Sequence, residues 1–161
     1  MLKILWNRGG VSMPFETSEE NDLFYTCSLI EYIARKTNNK KKYIVENLGE
    51  KNIKKILELA EIYHVENIDK VASEYIEKCK IKNGDYDILN NCKYDIPSYF
   101  DIGKVYERLI IMVDSSKKDY VHSLIQVLSS WIVEKIDNYN SSMYYENPEY
   151  IYECYKQGKV I

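Results

Sequence analysis

Apolar residues in this chain recur every three or four positions, segment after segment, and no stretch of convincing length alternates as a strand would. Leu23, Cys27, Ile30 and Ala34 form one such stripe, widened by Phe24 and Ile33. Ile53, Ile56, Leu57 and Ala60 form another, and Ile68, Val71, Ala72, Tyr75 and Ile76 a third. The pattern returns in Val105, Tyr106, Leu109, Ile110 and Val113, then in Val121, Leu124, Ile125, Leu128, Trp131, Ile132 and Ile136. A 3.6-residue period that persists through the chain leaves little besides an all-α fold. The expectation is a compact bundle of about seven helices.

Punctuation sets the boundaries. Thr17 and Ser18 stand before Glu19, Glu20 and Asp22, an acidic first turn, and Thr37-Asn38-Asn39 closes that helix. Lys41 to Leu48 reads as a short helix with Gly49 as its left-handed C-cap, followed by a helix from about Glu50 to Tyr63 and one from Asn67 to Cys79. Asn83-Gly84-Asp85 breaks the pattern, and residues 81–100 show no sustained period, a length of loop that is uncommon unless functional. Ser98 or Asp101 can cap the next helix, and the longest helix is expected over Lys117 to Tyr139. Asn147, Pro148 and Gly158 punctuate a terminal helix. Residues 1–16 read as a leader or disordered N-terminus, with Met13 as the start of translation. Residues 17–161 read as one helical domain, of which 17–80 and 101–161 can form two packed halves around the 81–100 loop.

Composition narrows the class. The formal charge is −3 over 161 residues, and no apolar run approaches the roughly 18–20 residues that span a bilayer. No apolar core of a secretory signal is present, and Cys27, Cys79, Cys92 and Cys154 never form a CxxC, so a cytoplasmic protein with reduced thiols is expected. Lysine outnumbers arginine 19 to 3, and isoleucine, asparagine and tyrosine are abundant, the bias of an AT-rich bacterial or phage genome.

No catalytic, metal or cofactor motif emerges. His64 and His122 lack the company of a zinc site, and the acidic positions following Asp85 fail the calcium-loop pattern, with Leu89 fifth and Asn90 sixth. A Cys27–His64 nucleophilic pair has nothing in the sequence to favour it. No glycine-rich phosphate loop occurs. The reading is therefore of a non-enzymatic protein without cofactor or metal.

What stands out is aromatic. Six of sixteen tyrosines fall between Tyr139 and Tyr155. Tyrosine pairs a large apolar ring with a polar tip and is favoured at protein interfaces. On the terminal helix Ile151, Tyr152 and Tyr155 share one stripe, expected to face the chain's own core, with Tyr150 and Cys154 on another. The expected partner-binding residues are Tyr144, Tyr145, Tyr150, Tyr152 and Tyr155 with Trp131, the sharpest expectation being Tyr150 with Tyr144 and Tyr145. A homo-oligomer is compatible with the same surface.

Charge offers an alternative. Residues 36–55 carry a formal +5 and residues 134–155 a formal −4. Lys41 to Leu48, Gly49 and the following helix imitate a helix-turn-helix, so Lys41, Lys42, Lys51, Lys54 and Lys55 are the nucleic-acid candidates. Glu58 and Glu61 on that second helix, the scarcity of arginine and the negative net charge argue against it.

Residues 23–77, LFYTCSLIEYIARKTNNKKKYIVENLGEKNIKKILELAEIYHVENIDKVASEYIE, resemble a poorly characterised family of small bacterial all-helical proteins, a domain of unknown function. The resemblance rests on the opening Ile30-Glu31-Tyr32-Ile33-Ala34 helix, the short helix ending in Leu48-Gly49 and the pair Tyr63-His64, and covers a third of the chain. Genes of that family often lie beside one for an ADP-ribosyltransferase-like protein. This implies a partner protein, such as a nearby toxin for which the chain is antitoxin-like, and transfers no catalytic residue. A phage-encoded inhibitor of a host defence protein would present the same kind of sequence.

Overall fold

The computed structural model describes residues 16–114 and 119–161; the leader and the Met13 start lie outside them. Helix α1 (Ser18–Thr37) begins with a reciprocal cap, the Thr17 hydroxyl accepting from Glu20 N–H and the Glu20 carboxylate from Thr17 N–H. It ends at Asn38, whose φ of 55° is left-handed. Every residue from Leu23 to Glu31 is buried, so the helix has no solvent face along its middle. Such a helix must be wrapped, and α2 (Lys41–Tyr63), α3 (Ile68–Lys78) and α4 (Tyr99–Val113) all pack on it. Its buried hydroxyls cost little because each donates to the carbonyl one turn back: Thr26 to Asp22, Ser28 to Phe24 and Thr37 to Ile33.

Helix α2 is interrupted where the sequence places Gly49, but the conformation differs from the expected left-handed cap. Gly49 has φ 77° and ψ 165°, a region open essentially to glycine alone. Asn67 caps α3 by accepting from Asp69 N–H. Ser98 caps α4, and Asp101 is its reciprocal partner rather than a competing cap.

The α1–α4 crossing is close because Gly103 faces Ser28. A Cβ at Gly103 would stand 2.2 Å from Ser28 Oγ and 3.0 Å from Ser28 Cα and N. Alanine would gain about 1 kcal/mol of helix propensity, yet here it must push two backbones apart, at about 1–3 kcal/mol. Gly103→Ala is therefore expected to lower stability in chemical unfolding, against its propensity.

The expected long helix over Lys117 to Tyr139 is not continuous: its described part forms α5 (Tyr120–Leu128) and α6 (Ile132–Ile136). Two adjacent serines, Ser129 and Ser130, lie at the break. Ser130 Oγ donates to the Val127 carbonyl at 2.6 Å, competing with the helical ladder. The break turns Leu124, Val127 and Leu128 on one side, and Ile132, Val133 and Ile136 on the other, into one core. A short 3₁₀ turn (Met143–Tyr145) leads to α7 (Pro148–Gln157). The described residues thus hold seven α-helices and no strand, around one core that runs from Leu23 to Cys154. None of these helices is long and apolar enough to cross a membrane. All four cysteines are free thiols, Cys27 and Cys154 buried and Cys79 and Cys92 half-buried.

At the centre sits a buried ion cluster. Lys41 Nζ lies 2.6 Å from Glu31 Oε1 and 2.7 Å from Asp137 Oδ2. Arg35 Nε donates to Glu31 Oε2 at 2.7 Å, and the Tyr106 and Tyr139 hydroxyls donate to Asp137 and Glu31. Two carboxylates thus meet two cations. Burial alone would raise Glu31, but Lys41 and Arg35 outweigh it and hold the carboxyl below its usual range. Asp137, where burial dominates over Lys41, is raised to about 6.

Candidate interaction surface

Asn147 caps α7 by accepting from Glu149 N–H, Pro148 takes the first position, and Gly158 closes it with φ 75°. The inward stripe, however, is Ile151 with Cys154, at 3% and 0% exposure, not Ile151 with Tyr152 and Tyr155. The face centre falls between those two residues, so Tyr150 and Tyr155 flank it and Tyr152 lies further round, under Lys156 Nζ at 4.8 Å from the ring centroid. Tyr150 is half-buried too, its hydroxyl donating to the main-chain oxygen of Ile161. The Cys154 position, expected beside Tyr150 on an outer stripe, belongs to the core.

The tyrosines before α7 form a series from core to solvent. Tyr139 is buried and bonded into the ion cluster. Tyr144 meets its ring edge-on at 5.5 Å, and Tyr145 meets Tyr144 edge-on at 4.9 Å. Tyr145 is 68% exposed, unlike the other rings of the tail. Trp131 is half-buried against the core at the start of α6, and among the described residues no ring stacks on it. The structure therefore keeps Tyr145, with Tyr144 behind it, as the solvent-facing pair.

Beside that pair lies the 81–98 loop, pinned at several points. Gly84 N–H and Tyr86 N–H donate to the Thr37 and Asn38 carbonyls, and a Cβ at Gly84 would stand 2.7 Å from Asn38 O. Asn140 accepts from Lys93 N–H at 2.7 Å and donates to Asn91 O at 3.0 Å. Arg35 Nη2 donates to Pro97 O at 2.9 Å. Between these anchors Tyr94 and Ile96 project outward, 68% and 45% exposed. Burial first, then Tyr145, Cys92 and the carboxylates Asp101 and Asp95, push the Tyr144 phenol up. Tyr94 and Ile96 escaped the sequence reading because the segment has no period to sort inward from outward residues; its unusual length was the available signal.

The nucleic-acid candidates divide. Lys42, Lys51, Lys54 and Lys55 are exposed, but Lys41 is not a surface lysine: it is 3% exposed and neutralised by Glu31 and Asp137. The sequence could not show this, because it does not reveal that Glu31 of the preceding helix turns towards Lys41 or that Asp137, just beyond α6, folds back onto it. Lys54 lines a cleft of about 530 Å³ whose other charged walls include Glu19, Asp22, Glu50, Glu58 and Asp119. A phosphate backbone would meet repulsion there.

That cleft also brings a histidine to carboxylates, which invites a catalytic reading. His122 Nε2 lies 3.1 Å from Glu50, and its Nδ1 is bonded to Asp119. The hydrogen bond and charge of Asp119, and then Glu50, raise the imidazole, which favours its protonated form. Asp22 is raised to about 6, by burial and then by Glu61 and Glu19. His64 is exposed at the end of α2, while Cys27 is buried and its thiol pushed well up by burial and then Glu107, so Cys27 is no nucleophile. Among the described residues no three acidic, histidine or cysteine side chains form a group able to hold a metal.

The chain matches no protein-family model, no curated protein and no solved structure. The class that can be stated is that of the fold, an all-α helical bundle.

Proposed function

We propose that the chain is a non-enzymatic interaction protein, an antitoxin-like or regulatory partner of another bacterial or phage protein. The observation that supports this reading is the exposure of three large apolar side chains, Tyr145 and, on a loop pinned at Lys93 and Pro97, Tyr94 and Ile96. Exposed apolar groups on a rimmed polar surface mark docking sites, and a surface already fixed loses little entropy on binding. Tyrosine is among the residues that anchor such contacts. The resemblance of residues 23–77 to a family encoded beside ADP-ribosyltransferase-like proteins directs the search to the gene's neighbours.

Co-expression with the products of neighbouring genes, followed by size-exclusion chromatography, tests the proposal. A stable complex is expected with the unaltered chain. Tyr94→Ala with Tyr145→Ala should weaken it by about 2 kcal/mol or more, some thirtyfold, with little change in unfolding temperature. A complex that survives both substitutions, or a chain that remains alone, would overturn the assignment.

A further inference from the structure

We infer that the buried ion cluster has a binding site for one internal water molecule, between Glu31, Lys41 and the 81–98 loop. The two oxygens of Glu31 give the first reason. Oε2 accepts from Arg35 Nε at 2.7 Å and from the Tyr139 hydroxyl at 3.1 Å. Oε1 is buried and accepts no hydrogen bond, although Lys41 Nζ stands 2.6 Å away. That contact is an ion pair without the alignment of a hydrogen bond, so the lone pairs of Oε1 stay unfilled.

Lys41 gives the second reason. An ammonium carries three N–H donors, and one is directed to Asp137 Oδ2 at 2.7 Å. Even with a second turned to the Tyr106 ring, 5.4 Å from Nζ, a third remains. A buried donor and a buried acceptor, side by side and each incomplete, are the groups that internal waters bridge.

The third reason is room. Glu31, Lys41 and Asp137 line a cavity with Ala34 of α1 and Ile88 and Leu89 of the loop. About 10 Å³ of it is open to a water-sized sphere, about the least that one water needs. An ion suits the site less well, because the two carboxylates repel chloride and the Lys41 ammonium repels a metal cation. Water both donates and accepts, as Glu31 and Lys41 together require.

A high-resolution crystal structure of the chain tests the site. Density for one water is expected within about 2.7–3.2 Å of both Glu31 Oε1 and Lys41 Nζ. In solution, the Ala34 methyl lines the cavity and is screened from bulk solvent at 4% exposure, so it should show an NMR cross-relaxation peak with water. A map with ordered waters elsewhere and none here would overturn the inference. So would Nζ turned into a straight hydrogen bond with Oε1, density of an ion in the cavity, or an Ala34 methyl silent towards water.

Discussion

Replacement of Lys41 by methionine is expected to destabilise the protein by about 3–5 kcal/mol, the cost of leaving buried charge without its partner. Lys41 is 3% exposed and, among the described residues, is the one group paired with both Glu31 and Asp137. Methionine fills a similar volume, so the loss reports on charge rather than on a cavity. Arg35 still neutralises Glu31 in the variant, which leaves Asp137 to bear the deficit. Asp137 already sits at about 6, and without Lys41 it moves further up. A carboxyl raised in the folded state favours folding below its unfolded pKa and opposes it as pH rises towards the folded value. The damage should therefore be larger at about pH 8 than at about pH 5. Urea unfolding at both checks this; an equal loss at the two would show that packing, not charge, had been removed.

The second large effect concerns Glu107, fully buried on α4 with Lys104 Nζ at 2.8 Å, a cation shared with Glu16 at 2.9 Å. Burial, and then the hydrogen bond with Glu16, raise its carboxyl from 4.5 to about 8. Between those values the unfolded chain gives up the proton while the folded chain keeps it. Stability from this group is thus complete below the lower value and lost on the way to the upper one, a fall on the order of 5 kcal/mol. Glu107→Gln copies the protonated form and leaves Lys104 its bond to Glu16. It should match the unaltered protein at about pH 4.5 and be the more stable at about pH 9. Parallel curves across that range would contradict the shifted carboxyl.

Local chemistry was readable and assembly was not. Thr17, Ser98, Asn147 and Gly158 each act within a few residues of themselves, so their roles at element ends followed from identity and spacing, whereas Gly49 was legible as a break but not in its conformation. The Ser129-Ser130 break lay hidden because the apolar stripe runs on at helical spacing across it. Periodicity reports where apolar groups fall, not whether a hydroxyl competes for a carbonyl. Lys41 looked like surface charge for a related reason: its neighbours Lys40 and Lys42 are exposed, and the acids that neutralise it lie on α1 and just beyond α6. In the tail, helical spacing set Tyr152 and Tyr155 towards the core and Tyr150 with Tyr144 and Tyr145 towards a partner, yet Tyr139 is core, Tyr144, Tyr150, Tyr152 and Tyr155 are half-buried, and Tyr145 alone of the six is mostly wet. Composition cannot divide rings between a core and a surface.

The burial of α1 on every side has a consequence for the order in which the chain takes shape. Of the described helices the ribosome releases α1 first, followed by α2 and α3, which cover part of it. Its flank against α4, where Ser28 meets Gly103, has no cover until Val113 has emerged. Glu31 waits longer still, because the Asp137 that balances its cluster is synthesised more than a hundred residues later. The flank of α1 thus stays uncovered until α4 has been made, and the ion cluster is complete only once Asp137 has emerged.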